Sequence, residues 1–233
     1  MGKEKTVIET NIQNIRESVR RCCLRSGRDV STIKLIAVSK THTVESIREA
    51  YQAGQRCFGE SRVQEALQKI LVLPSDIEWH FIGPLQSNKV KSVIQSFALI
   101  HSVDSLDLAR TIDRRAGQIR KKQDIMLEIN IGRESSKHGF DLNELTDTLK
   151  AMRVFSNLHV RGFMTIPPFH DEAEASRVFF RALRVESQSA WTALGFDLTN
   201  LDLSMGMSHD FEVAIEEGAT MVRIGTSIFG SRI

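Results

Sequence analysis

The chain has 233 residues, 41% of them apolar, and a formal net charge of +2 with both signs well mixed. That length buries one sizeable core, so a single α/β domain over residues 1–233 is expected rather than two small ones. The mixed charge points to neither nucleic acid nor an anionic membrane, no apolar run approaches a membrane span, and the N-terminus lacks a signal-peptide core.

In chain order, Ile8, Ile12, Ile15, Val19 and Cys22 make a helical stripe, with Arg16, Glu17, Arg20 and Arg21 opposite and Ser26-Gly27 as the stop. Standing before the first strand, this extra N-terminal helix is expected to cap one end of the domain. Ile33, Leu35, Ile36, Ala37 and Val38 then form a nearly continuous apolar run, as in parallel strands covered on both faces. It stops at Ser39-Lys40-Thr41-His42. A helix over 43–53 ends at Gly54, and the alternation repeats. Strands are predicted at 56–58, 78–82 and 98–103, with helices at 63–71, 88–97 and 104–120, the last capped by Asp104 or Ser105. Further strands follow at 124–131, 158–165, 201–204 and 220–224, with helices at 141–153, 172–194 and 211–217 between them. Eight strands in strict alternation with helices, and no linker, predict a closed (β/α)8 TIM barrel, with a doubly wound sheet as the alternative.

In such a barrel, function collects in the loops after the strands' C-terminal ends. Lys40 stands in the first of them, where partial desolvation favours a neutral amine able to condense with a carbonyl; a surface lysine ending a strand is the plainer reading. Ser204-Met205-Gly206-Met207-Ser208 and Gly225-Thr226 occupy the loops after strands seven and eight, where barrels often hold a phosphate. Gly206 permits close backbone approach, Ser208 is expected to cap the helix beginning at 209, and Gly225 and Thr226 supply N–H groups and a hydroxyl. An N-cap and a turn are the plainer readings of those two loops. A lysine amine beside a phosphate cradle describes a pocket for a phosphorylated aldehyde, of which pyridoxal 5'-phosphate (PLP) is the commonest. Arg223 would then face the pyridine nitrogen and, staying protonated, leave the ring a weak electron sink. Met205 and Met207 are within reach of a ring, although Met more often fills gaps in a core.

Three cysteines, two of them adjacent (Cys22 and Cys23), make no disulfide framework and fit a reducing cytoplasm. Seven histidines form no His-x-x-x-His pair, so no metal site is expected.

The strings Leu35-Ile36-Ala37-Val38-Ser39-Lys40-Thr41, Phe58-Gly59-Glu60, Val63-Gln64-Glu65, Trp79-His80-Phe81-Ile82-Gly83-Pro84-Leu85-Gln86-Ser87-Asn88-Lys89, Ser204-Met205-Gly206-Met207-Ser208 and Arg223-Ile224-Gly225-Thr226 resemble the YggS/PROSC family, the pyridoxal phosphate homeostasis proteins. The likeness runs in order along essentially the whole chain. It implies an alanine racemase N-terminal domain-like barrel (PLP fold type III) with PLP as an internal aldimine on Lys40. It also implies that Ser208, Gly225 and Thr226 hold the phosphate, that Arg223 faces the ring nitrogen, and that Lys137 influences PLP release. Two departures stand out: Gly59-Glu60-Ser61-Arg62 where the family usually reads Gly-Glu-Asn-Tyr, and His42 where a second lysine often follows the first.

The rival to a carrier is a racemase-like PLP enzyme. Racemization needs an acid–base group on each face of the substrate, and racemases of this type take a tyrosine from a second β-domain. Here the chain stops after strand eight and its single tyrosine, Tyr51, falls on an outer helix. A phosphosugar barrel using Lys40 as an aldolase-like Schiff base ranks third. The expected function is therefore PLP carriage and intracellular vitamin B6 homeostasis, without turnover, by a cytoplasmic monomer that passes PLP to apo-enzymes.

Overall fold

Eight strands hydrogen-bond in parallel and in sequence order, and the last pairs back onto the first, closing a barrel. They are β1 (Lys34–Val38), β2 (Cys57–Glu60), β3 (Glu78–Phe81), β4 (Leu99–Val103), β5 (Gln123–Ile129), β6 (Leu158–Thr165), β7 (Asp202–Met207) and β8 (Met221–Ile224). The computed structural model describes residues 5–134 and 138–230. At the closing seam Ile36 of β1 stands in register with Arg223 of β8. A buried cluster of Ile36, Cys57, Leu99, Met126, Met164 and Met221, one from each of six strands, fills the barrel interior. The larger core packs the strands' outer faces against the surrounding helices.

That ring comprises α1 (Val7–Ser26), α2 (Val44–Gln52), α3 (Val63–Ile70), α4 (Val90–Ser96), α5 (Leu106–Gln118), α6 (Leu145–Met152), α7 (Arg177–Ala193), α8 (Phe211–Glu216) and the short α9 (Thr226–Phe229). Ser105, rather than Asp104, caps α5: its hydroxyl accepts from the Leu108 N–H at 3.3 Å. The helix predicted at 88–97 opens as a 3-10 turn at Ser87–Lys89, and that predicted at 172–194 opens as one at Ala173–Ser176. β7 runs further than expected, carrying Met205 and Gly206 within the strand.

The extra helix does not cap an end. α1 lies in the ring itself, against α2, α8 and α9. The α9 helix that follows β8 has four residues, too few to cover the β8–β1 seam, and the α1 stripe of Ile12, Ile15, Val19, Cys22 and Cys23 is buried there. Polar ties fix it there. The Asn11 amide donates to Ile228 O at 2.9 Å, and the Arg28 guanidinium to Ile215 O and Ala219 O at 2.7 Å each. No helix among the described residues is long and apolar enough to cross a membrane.

Candidate functional site

A cavity of about 450 Å³ opens at the barrel's C-terminal mouth, and Lys40, Ser208, Arg223, Gly225 and Thr226 all line it. The structure thus brings together the five residues that the sequence nominates from three separate loops. Lys137 lies outside the described residues.

The lysine wall is built on a buried ion cluster. Lys69, in the last turn of α3, is buried and donates to Ser39 O at 2.8 Å, to Glu60 Oε1 at 2.8 Å and to Glu65 Oε1 at 2.7 Å. The Ser39 hydroxyl also donates to Glu60 Oε1, at 2.7 Å. Burial pushes the Glu60 carboxyl up from its ordinary pKa, while Lys69 and Ser39 pull it back. Thr41 sits at φ +67°, a left-handed conformation costly for a β-branched residue, and its N–H donates to Glu65 Oε1 at 2.5 Å. Lys40 therefore stands between two backbone positions tied to one buried cluster.

The opposite wall uses backbone and one hydroxyl. The predicted cap role of Ser208 is not what the structure shows: α8 starts at Phe211, and Asp210 Oδ1 takes the turn by accepting from the Met207 N–H at 2.8 Å. Ser208 Oγ reaches across to β8, where the N–H groups of Gly225 and Ser227 both donate to it at 3.3 Å. Those are donors at the start of α9, and they converge on one oxygen. Gly206 is needed for the same packing: at φ +90°, an added Cβ would sit 3.0 Å from Phe211 Cα. Met207 beside it is exposed and lines the cavity, whereas Met205 is wholly buried in the core.

Arg223 rises from β8 into the floor of the cavity with only 4% of its surface exposed. Nη1 donates to Ser204 Oγ at 2.6 Å and Nη2 to Thr165 O at 2.9 Å. Burial lowers its pKa to about 10, with Glu128 and Asp210 opposing, so the guanidinium stays charged at neutral pH.

Sequence reasoning gave no role to other parts of the mouth, and it missed Pro168, Phe169 and His170 altogether. The 166–170 loop after β6 contributes Ile166, Pro167, Pro168, Phe169 and His170 to the lining, and Phe169 is 78% exposed. His42 stacks on Phe229, ring centroids 4.7 Å apart. Ser61 lines the cavity where the family more often has asparagine, and the Ser61 backbone leaves room for no side chain at Gly83. At the other mouth, Cys57, Glu78 and His80 bring ligand-type atoms within 4.8 Å of one another, but the Lys34 ammonium already lies on Glu78 at 2.8 Å.

Comparison with known proteins agrees with this geometry. The model of the alanine racemase N-terminal domain matches residues 8–233. A pyridoxal phosphate homeostasis protein of Aquifex aeolicus is 44% identical over 222 residues, covering 95% of this chain and 96% of its own. PipY of Synechococcus elongatus, solved with PLP bound, is 38% identical and superposes with a TM-score of 0.76 over 91% of this chain and 99% of that chain. The alanine racemase of Bartonella henselae, 17% identical, has a TM-score of 0.73 over 97% of this chain and 59% of that chain, a likeness of fold alone. The chain belongs to the alanine racemase N-terminal domain family and, within it, to the pyridoxal phosphate homeostasis proteins.

Proposed function

We propose that the chain is one PLP-binding barrel that holds the cofactor as a Schiff base on Lys40 and serves intracellular vitamin B6 homeostasis, delivering PLP to apo-enzymes rather than turning over a substrate. The observation that carries this reading is the convergence of Lys40, Arg223, Ser208, Gly225 and Thr226 on one cavity. The donor set suits the group. The N–H groups of Gly225 and Ser227, meeting at Ser208 Oγ, are arranged as for a phosphate oxygen, and Thr226 stands between them in the cavity lining. Arg223, a donor without an acceptor, suits an unprotonated ring nitrogen. When bound, PLP supplies an aldehyde that the lysine amine captures reversibly. As a carrier, the protein is taken to work in the cytoplasm as a monomer.

A racemase-like enzyme is disfavoured by the fate of the single tyrosine. The Tyr51 hydroxyl donates to Asp76 at 2.8 Å on the exposed outside of α2, away from the cavity. The test is an absorption spectrum of the purified protein, before and after borohydride reduction, with peptide mapping. A visible band that borohydride fixes onto Lys40 is expected. No band after adding PLP would return the chain to the phosphosugar-barrel reading.

A further inference from the structure

Beneath Arg223 a file of polar side chains crosses the barrel interior. Arg223 Nη1 meets Ser204 Oγ at 2.6 Å, and Ser204 Oγ meets His101 Nδ1 at 2.9 Å across the barrel, from β7 to β4. His101 Nε2 meets His80 Nδ1 at 2.9 Å, and His80 Nε2 meets Glu78 Oε1 at 2.9 Å. Ser204, His101 and His80 are buried, and Glu78, the first residue of β3, is half-buried at the opposite mouth.

Burial lowers the pKa of both histidines and favours neutral imidazoles, and with both rings neutral the Glu78 end fixes the direction of every bond in the file. A guanidinium only donates and a carboxylate only accepts. Arg223 must donate to Ser204 Oγ, leaving that hydroxyl's own proton for His101 Nδ1. His101 therefore carries its proton on Nε2 and donates to His80 Nδ1; His80, protonated on Nε2, donates to Glu78. Each intermediate group then makes one bond as donor and one as acceptor. Glu78 is held anionic, its pKa lowered to about 2 by His80 and by Lys34, with burial opposing.

We propose that Glu78, His80, His101 and Ser204 are positioning residues for Arg223: a one-way hydrogen-bond chain, anchored at the far mouth of the barrel, that fixes the guanidinium against the cofactor ring. The inference rests on the reading that Arg223 faces that ring. The logic is geometric. Arg has a long, rotamer-rich side chain whose ordering is costly, and Arg223 projects into an open cavity. Two fixed acceptors, Ser204 Oγ and Thr165 O, hold its two Nη atoms in one orientation. Ser204 can act as acceptor with its proton satisfied only because His101 Nδ1 is unprotonated, and that tautomer is imposed from Glu78.

The first test uses the full chain without cofactor. Nitrogen-15 NMR of the imidazoles, assigned by His80→Gln and His101→Gln, should show both residues as neutral Nε2–H tautomers at pH 7. An Nδ1–H or imidazolium form of either overturns the chain. The second test titrates PLP into variants and records the absorption maximum of the complex. Ser204→Ala and Glu78→Leu should each bind PLP about ten-fold more weakly and shift the maximum in the same direction as Arg223→Ala. Ser204→Thr and Glu78→Gln, which keep an acceptor in place, should restore both. If Arg223→Ala itself changes neither affinity nor spectrum, the ring-facing reading fails. If Arg223→Ala changes both while Ser204→Ala and Glu78→Leu match the native protein, the positioning chain fails and the ring-facing reading survives. Weaker binding with an unshifted maximum that Thr and Gln do not restore marks a merely structural role and also overturns the proposal. The NMR test needs no variant to keep the chain intact, so a Glu78→Leu protein that fails to fold leaves the idea exposed.

Discussion

The two walls of the cavity are built on different principles. Behind Lys40, a buried ammonium on α3 binds the Ser39 carbonyl and two carboxylates at 2.7–2.8 Å, so the backbone on either side of the lysine has one arrangement. Behind Gly225 and Thr226, the contacts are two 3.3 Å hydrogen bonds to a partly exposed serine hydroxyl. The difference matches what the proposed function asks of each wall. A lysine that forms a covalent bond has to meet a carbonyl carbon within a narrow range of distance and angle, and a fixed backbone supplies that. A phosphate brings its own oxygens and negative charge, so its wall needs only donors that can exchange one acceptor for another. On the proposed reading, Ser208 Oγ keeps those donors satisfied until a phosphate oxygen replaces it.

The largest effect in this comparison is chemical. Lys40→Ala should abolish borohydride-fixable PLP while far-ultraviolet circular dichroism and the urea midpoint stay near native, because the buried cluster holds Ser39 and Thr41 through other atoms. An intact reducible complex in that variant would sink the assignment of Lys40. Arg223→Ala should weaken PLP binding more than Arg62→Ala, since Arg62 is exposed and does not line the cavity; equal losses would count against a ring-facing role.

Next comes the stiffness of the lysine wall. Lys69→Met leaves Glu60 buried without its cation, an unpaired-charge defect that costs about 3–5 kcal/mol in a urea titration at pH 7. Burial already raises the Glu60 pKa, so part of that loss should return as pH falls and the lone carboxyl takes up a proton. A loss below about 1 kcal/mol would mean that the cluster is not what holds this wall.

Behind the proposed phosphate wall, α7 and α8 are tied together outside the cavity. Glu217, buried at the end of α8, is gripped by Arg181 at 2.8 Å, Arg177 at 3.0 Å and Arg184 at 3.3 Å, all on α7. Arg181 and its neighbours lower the Glu217 pKa to about 2, against burial, from the ordinary 4.5. A depressed folded-state pKa stabilises the protein above the unfolded value, and the benefit disappears as pH falls from 4.5 toward 2. Glu217→Gln should therefore cost about 2–3 kcal/mol at pH 7 and progressively less below pH 4.5. A difference that stays constant down to pH 2 would contradict the linkage.

The strands and their order were legible in the sequence because parallel strands covered on both faces read as short apolar runs, and the loops after them as glycine and hydroxyl clusters. Lys40, Arg223 and Gly225, which line the cavity, were nominated that way, by position in a barrel. Three things were not legible. The place of α1 depends on the shortness of α9 beside the β8–β1 seam, a tertiary fact that the apolar stripe of α1 does not carry. The role of Ser208 was misjudged because a serine before a helical pattern looks like a cap, whereas Asp210 takes that turn. The Lys69 cluster and the Glu78–His80–His101–Ser204 file join residues up to 103 positions apart, and no local periodicity marks their long-range pairings.

The smallest expected effect bears most directly on exchange at the phosphate wall. Ser208→Ala removes an acceptor from two N–H groups at partly exposed positions, where water can replace it, so the stability cost should stay below about 1 kcal/mol. In the complex the same hydroxyl can turn to donate to a phosphate oxygen, and losing that bond should weaken PLP binding about five-fold. Pyridoxal, which has the aldehyde and ring but no phosphate, should bind the variant and the native protein equally. An equal five-fold loss for pyridoxal would place Ser208 in the scaffold of the cavity rather than in phosphate exchange, and the contrast between a rigid lysine wall and an adaptable phosphate wall would fall with it.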